Sequence, residues 1–373
     1  MSLPRIGVLG CGALAQKGAL PHLFQPDARE RAHVVAVADA DLARAREVAA
    51  RFGVPRAFDS LDAMLRGADL DIVCVLTPIA HHFAAARAAM EAGKHVYVQK
   101  TMTTSLAQAD ELLSLRDRVG VRLAAAPGFE LFPLVRRMRD TVENGDIGPV
   151  YLAYSFTIGF GHENEAQRQG EGAAQAISPA WYYRRGGGPL PDVTVYGLQL
   201  MTSVLGRAAR VSALASTMIP TRHWRDQSIA LEVPDNNALL LEFASGTLGV
   251  AAGSAAHPRP NAPWGGLDLH GASGTLCVSQ TDESTAYPIE FEVSGNNARI
   301  ERAALEDAPA LRGGHASIEE AHVWADILEL LDAIKENRAP RNSGEQARHV
   351  VDIIERARLS AETGRAQTLS STL

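Results

Sequence analysis

Gly10-Cys11-Gly12-Ala13-Leu14-Ala15 directly follows the short apolar run 6–9 and opens a helix-forming stretch. The first glycine suits a tight turn, and the second lets backbone N–H groups come close to a phosphate resting on the helix N-terminus. Ala15 stands in the third slot of the pattern GxGxxG/A. Alone, the motif reads equally well as a tight turn with no ligand. Asp39 weighs against that, because it ends the next apolar run, 34–39, where a carboxylate accepts hydrogen bonds from adenosine ribose hydroxyls. The reading is a dinucleotide site built from Gly10, Gly12, Ala13, Leu14 and Asp39. A carboxylate there repels a 2′-phosphate, so NAD is expected rather than NADP. Arg44, on the following helix, reads as a solvated surface charge.

From residue 5 to about 126, short apolar runs alternate with longer Ala-, Leu- and Arg-rich stretches, the rhythm of a parallel α/β sheet. Strands are expected at 6–9, 34–39, 72–76, 95–98 and 122–125, and helices at 14–24, 41–52, 61–65, 80–92 and 106–119. Gly53 is the expected C-cap of the second helix. After Pro127-Gly128 the rhythm changes to a helix at 131–143, a turn at Asn144-Gly145 and strand-like text at 151–156. The turn Gly186-Gly187-Gly188 leads into an expected helix at 192–205 with Asp192 as its N-cap. Between 211 and 293, β-like runs separated by Gly, Pro and Asn read as one largely antiparallel sheet, and helices return at 318–337 and 343–363. Two domains result, 1–126 and 127–373, with the C-terminal helix 343–363 a candidate for packing back on the first.

A chain of 373 residues can bury two such cores. Its net charge of -7 offers no broad basic field, which argues against nucleic acid as a partner. Three cysteines without a CxxC pair indicate neither a disulfide framework nor a zinc site, and a reducing, cytoplasmic setting is expected. No run approaches the ~18 apolar residues of a membrane span, and no HExxH or clustered ligand spacing points to a catalytic metal.

Together with this fingerprint stand Leu76-Thr77-Pro78, Gly93-Lys94-His95-Val96-Tyr97-Val98-Gln99-Lys100 and Gly186-Gly187-Gly188-Pro189-Leu190-Pro191-Asp192-Val193-Thr194-Val195-Tyr196. On these motifs the chain resembles the Gfo/Idh/MocA family of glucose-fructose oxidoreductases and inositol dehydrogenases over nearly its full length. The resemblance implies an α/β fold: an N-terminal Rossmann domain with a parallel sheet, then a C-terminal α+β domain with a large, mostly antiparallel open sheet used for oligomerisation. It also implies hydride transfer at a sugar or cyclitol carbon. Members commonly carry Glu-Lys-Pro where this chain has Gln99-Lys100-Thr101, which keeps the lysine and leaves the turn at Thr101 open. Many read Asp-x-Gly-x-His-x-x-Asp where Asp192, Thr194, Tyr196 and Gln199 stand here. A tyrosine in the histidine slot is similar to the glucose-fructose oxidoreductase and dihydrodiol dehydrogenase branches, where it is taken as the proton-transfer residue. Thr77, Pro78, His82, Gln99 and Lys100 join the expected cofactor contacts on this resemblance, although His82 reads equally as a first-turn surface histidine.

Oxidising a secondary alcohol needs a hydride acceptor and a base that removes the hydroxyl proton in the same step. Tyr196 is the expected base, its phenolate form favoured by the Lys100 ammonium, which also meets the substrate oxygen. Asp192, four residues before Tyr196, is expected to orient the substrate or the lysine. Singly, a surface lysine, a core aromatic and a helix cap remain the alternatives. His162, Trp181, Tyr182 and Arg184 suit stacking on and hydrogen bonding to a sugar or glycoside, or equally domain-interface packing. The expected activity is that of an NAD-dependent dehydrogenase or reductase acting on CH-OH groups of a sugar or glycoside. A trans-dihydrodiol or inositol dehydrogenase is the alternative, and a non-catalytic dinucleotide-binding regulator the alternative of another class. An open sheet face needs covering, so a homodimer or homotetramer is expected.

Overall fold

The computed structural model describes residues 3–256, 265–281, 287–303 and 312–371. The chain forms two compact units. The first contains Met1–Gly128, Glu163–Pro179 and Pro309–Gly344, and the second Phe129–His162, Ala180–Ala308 and Glu345–Leu373. The chain thus crosses between the units more often than one boundary at 126/127 would allow. The reason is packing. Helix Ala321–Lys335 contacts the parallel sheet of the first unit, whereas helix Glu345–Thr363 lies on the sheet of the second. The C-terminal helix is grouped with the second unit.

Six strands form the sheet of the first unit: β1 (Arg5–Leu9), β2 (His33–Ala38), β3 (Arg56–Phe58), β4 (Ile72–Val75), β5 (His95–Val98) and β6 (Leu123–Ala125). All pairings are parallel, in the order β3-β2-β1-β4-β5-β6. Parallel strands are covered on both faces, which is why β4 reads Ile-Val-Cys-Val and is wholly buried. Helix starts are set by side chains that accept from orphan N–H groups: Asp41 from Ala43 and Arg44, Ser60 from Ala63, and Ser105 from Gln108. Gly53 closes helix Leu42–Phe52 in the left-handed conformation, as its place after Phe52 indicates.

Among the described residues of the second unit, β9 (Thr221–Trp224) and β10 (Gln227–Ala230) form a hairpin, and the main sheet has nine strands in the order β16 (Arg299–Arg302), β15 (Pro288–Val293), β14 (Gly274–Thr281), β13 (Gly266–Gly271), β7, β12, β11, β8 and β17 (Gln367–Thr368). Its central members are β7 (Val150–Ile158), β12 (Leu248–Ser254), β11 (Asn236–Phe243) and β8 (Ala208–Ser216). Only β7 and β12 pair in parallel among the described residues. One face carries helices Val195–Leu205 and Glu345–Thr363. The other presents Leu214, Leu240, Leu248 and Phe156, which are 76%, 49%, 44% and 39% exposed. Among the described residues no helix is long and apolar enough to cross a membrane.

Burial lowers the pKa of His22 to about 3, and those of His82 and His349 to about 4 each. The unfolded chain therefore binds more protons than the folded one between pH 6.5 and about 4. Stability is expected to be level above pH 7 and to fall steadily as pH drops through that window. Urea midpoints measured from pH 8 to pH 5 check this, and a flat profile contradicts it.

Candidate active site

The strand order reverses between β1 and β4, and ligands of such sheets bind beyond the carboxyl ends of the strands at that point. There the Gly10 N–H donates to the Ala38 carbonyl (2.8 Å), and the Leu76 N–H to that of Leu9 (2.8 Å). Gly10 has φ +95°, and a Cβ on it would lie 2.6 Å from the Leu76 carbonyl oxygen. No other residue fits that turn. Cys11 donates its N–H to Asp39 Oδ2 (2.8 Å), and Asp41 donates to Oδ1 (2.9 Å). A Cβ on Gly12 would meet nothing within 4 Å, so the start of the helix faces open space. Ala13 is buried and Leu14 half-buried on that helical turn. Burial pushes the Cys11 and Cys74 thiols up to about 12, so neither is a thiolate nucleophile at neutral pH.

Arg44 is not the solvated surface charge expected from its sequence position. Its guanidinium pairs with Asp39 Oδ1 (2.9 Å) and Asp41 Oδ2 (3.4 Å) and donates through Nε to the Ala173 carbonyl (3.0 Å). The stretch 163–179 is held there at two further points, Gln16 Nε2 to the Ala174 carbonyl (2.6 Å) and Ala174 N–H to Glu47 Oε2 (3.1 Å). Nothing in the local sequence signals this covering segment, because it contains no periodic element.

Further along the same edge, Lys100 lies just beyond β5, half-buried, with its N–H on Gln99 Oε1 (2.7 Å). The Lys100-Thr101 peptide is cis. His82 is 1% exposed, with Nδ1 2.8 Å from the Thr101 carbonyl and Nε2 2.7 Å from that of Thr77. The neutral ring donates to one of these two carbonyls and packs its other nitrogen against the second, between the Thr77-Pro78 loop and Thr101.

In the second unit, a π turn, Leu190–Thr194, precedes the α-helix Val195–Leu205. Asp192 thus lies inside the first turn rather than at the N-cap. Its N–H donates to the Gly188 carbonyl (3.2 Å), and its buried carboxylate stands 3.0 Å from His162 Nε2. The His162 ring packs edge-on against Tyr182 (4.2 Å) and near Trp181 (5.7 Å). Tyr182 is 1% exposed within a cluster of Tyr183, Trp224, Ile229 and Ala255, and so contributes packing behind His162. Arg184 is exposed. Tyr196 is buried with its ring edge-on to Phe129 at 6.4 Å.

Two family models match this chain: "Oxidoreductase family, NAD-binding Rossmann fold" over residues 4–126, and "GFO/IDH/MocA C-terminal domain" over 135–301. The chain belongs to the Gfo/Idh/MocA oxidoreductase family. Within that family it is 30% identical to a dTDP-3,4-didehydro-2,6-dideoxy-alpha-D-glucose 3-reductase of Actinomadura kijaniata, over 76% of this chain and 78% of that protein. It is 24% identical to the mouse trans-1,2-dihydrobenzene-1,2-diol dehydrogenase over 86% of each. Some other curated relatives match over only about half of their own length. The fold is shared with a levoglucosan dehydrogenase solved with NADH and L-sorbose, at 20% identity, TM-score 0.81 and full coverage of both chains.

The residues present fit NAD. The open side of Gly12 leaves room for a pyrophosphate at the helix start, Asp39 offers a carboxylate to ribose hydroxyls, and Arg44 is already committed to two carboxylates and a carbonyl. Gly10→Ala is expected to destabilise the fold by about 1–3 kcal/mol. Gly12→Val is expected to leave the unfolding midpoint unchanged while weakening NAD binding about tenfold or more. Thermal melts and NAD titrations of both variants check this, and wild-type NAD affinity in Gly12→Val contradicts the cradle.

Proposed function

We propose that the chain is an NAD-dependent dehydrogenase or reductase of a sugar or glycoside, interconverting a secondary hydroxyl and a ketone. The carrying observation is the carboxyl edge of the parallel sheet, where the Gly10–Gly12 turn, Asp39 and Lys100 follow β1, β2 and β5. NAD, when bound, supplies the hydride acceptor. Lys100 hydrogen-bonds the substrate oxygen and stabilises the negative charge that grows there. Tyr196 removes the hydroxyl proton in the same step, and Asp192 orients the polar groups of the second unit. A reductase acting on a nucleotide-linked ketosugar and a dihydrodiol dehydrogenase among the relatives support the substrate class.

A second reading of the proton transfer is favoured by the 3.0 Å pairing of His162 Nε2 with Asp192. A carboxylate that orients an imidazole makes it an effective base. On this reading His162 carries the proton and Tyr196 packs.

The exposed sheet face supports a homodimer or homotetramer. Leu240 lies directly opposite Val250, and Leu214 opposite Ala238, so these apolar side chains share one face of the sheet, and a second copy of this chain covers it. The free cysteines fit a cytoplasmic location.

Lys100→Ala and Tyr196→Phe are each expected to lower kcat about 10²-fold with NAD affinity little changed. The assay is NADH formation with a panel of sugars, glycosides, inositols and dihydrodiols. Near-normal turnover in Tyr196→Phe together with a large loss in His162→Asn transfers the base to His162. Leu240→Glu is expected to yield monomers by light scattering, and an unchanged mass rejects that face as the interface.

A further inference from the structure

Gln99 is the centre of a connected chain of buried polar groups in the first unit. Its Oε1 accepts the Lys100 N–H (2.7 Å), while Nε2 donates to Tyr97 Oη (3.2 Å) and faces His322 Nε2 (3.2 Å). Tyr97 passes its own hydrogen to Asp326 Oδ2 (3.2 Å). Asp326 Oδ1 accepts from the Gly128 N–H and from Asn342 Nδ2, both at 2.9 Å.

An amide nitrogen only donates, so His322 Nε2 is the acceptor and the imidazole proton sits on Nδ1. Nδ1 stands 3.5 Å from Glu320 Oε2, and Glu320 is paired with Lys17 Nζ at 2.9 Å. Glu320 holds φ +63°, a conformation that non-glycine residues adopt at a cost of about 1–3 kcal/mol and that clusters at functional sites. Burial alone would raise its carboxyl, but Lys17 above all, with Lys100 adding to it, holds it below the usual carboxylate range. The chain that starts at the Lys100 backbone therefore ends on a carboxylate that feels the Lys100 charge.

We propose that Gln99 and His322 form one positioning unit for Lys100, and that residue 99 must be an amide because one side chain donates to both Tyr97 and His322. The inference rests on the reading of Lys100 as the group that meets the substrate oxygen. A carboxylate at 99 still accepts the Lys100 N–H, but it loses both donors and adds a third buried carboxylate beside Glu320 and Asp326. His322 must then carry its proton on Nε2 or take up a second one.

The test uses the full chain with NAD bound. In protein labelled with ¹⁵N-histidine, the resonance that disappears in His322→Gln identifies His322 among the twelve histidines. The wild type is expected to show the Nδ1–H tautomer, and Gln99→Glu the Nε2–H form or the imidazolium. In the sugar panel, Gln99→Glu, Gln99→Leu and His322→Leu are each expected to lose about tenfold or more in kcat, with KM and NAD Kd within about threefold. The double variant Gln99→Leu/His322→Leu is expected to lose no more than either single one. His322→Gln, whose carbonyl can accept from Gln99, is expected to stay within about threefold of wild type. Wild-type kcat in Gln99→Glu, an unchanged ¹⁵N signature or additive losses overturn the inference. Should Gln99→Glu fail to fold, the contrast between His322→Leu and His322→Gln decides it. Full turnover in Lys100→Ala instead defeats the catalytic reading, while the ¹⁵N signature still decides the hydrogen-bond arrangement.

Discussion

One carboxylate organises the cofactor edge of this molecule. Asp39 Oδ2 accepts the Cys11 N–H, which ties the turn after β1 to the end of β2. The same group holds Asp41, whose own side chain caps helix Leu42–Phe52, and it pairs with Arg44 on that helix. Arg44 carries the link onward to Ala173 in the segment 163–179, whose own regular structure is limited to short 3-10 turns. Without that carboxylate the buried Cys11 N–H would lose its acceptor at a cost of about 1–3 kcal/mol, and the half-buried Asp41 N–H and Arg44 would each lose a partner.

Much of the first unit was legible in the sequence, because parallel strands covered on both faces leave continuous apolar runs and helix ends leave capping residues. Asp41, Ser105 and Gly53 are examples. β3 and β17 were not legible, since strands of three and two residues carry no period. The π turns Ala15–Ala19 and Leu190–Thr194 were hidden for another reason: only the hydrogen-bond spacing distinguishes them from α-helix. That spacing placed Asp192 inside a turn rather than at its start. The returns of the chain at 163–179 and 309–344 depend on tertiary packing, which no local pattern encodes.

The candidate site was legible where function acts through local backbone, at Gly10, Gly12 and Asp39, and less so where it acts through distant side chains. His82 and His322 are both histidines near the Lys100 turn, yet their partners lie 19 and 223 residues away along the chain. In the second unit, Asp235 accepts from the Met218 and Ile219 N–H groups and from Arg222, whose guanidinium lies 5.5 Å over Tyr183. A buried charge paired in this way backs the aromatic cluster against which His162 rests. Each unit thus holds a network of buried polar groups beside its candidate site residues.

The proposed preference for NAD rests most on Asp39, whose carboxylate would accept from the adenosine ribose hydroxyls. Calorimetric titration of the chain with NADH and with NADPH tests that directly. NADH is expected to bind at least about tenfold more tightly, because a 2′-phosphate would meet the Asp39 carboxylate, and Arg44 beside it is already paired with two carboxylates. Equal or tighter binding of NADPH would contradict it.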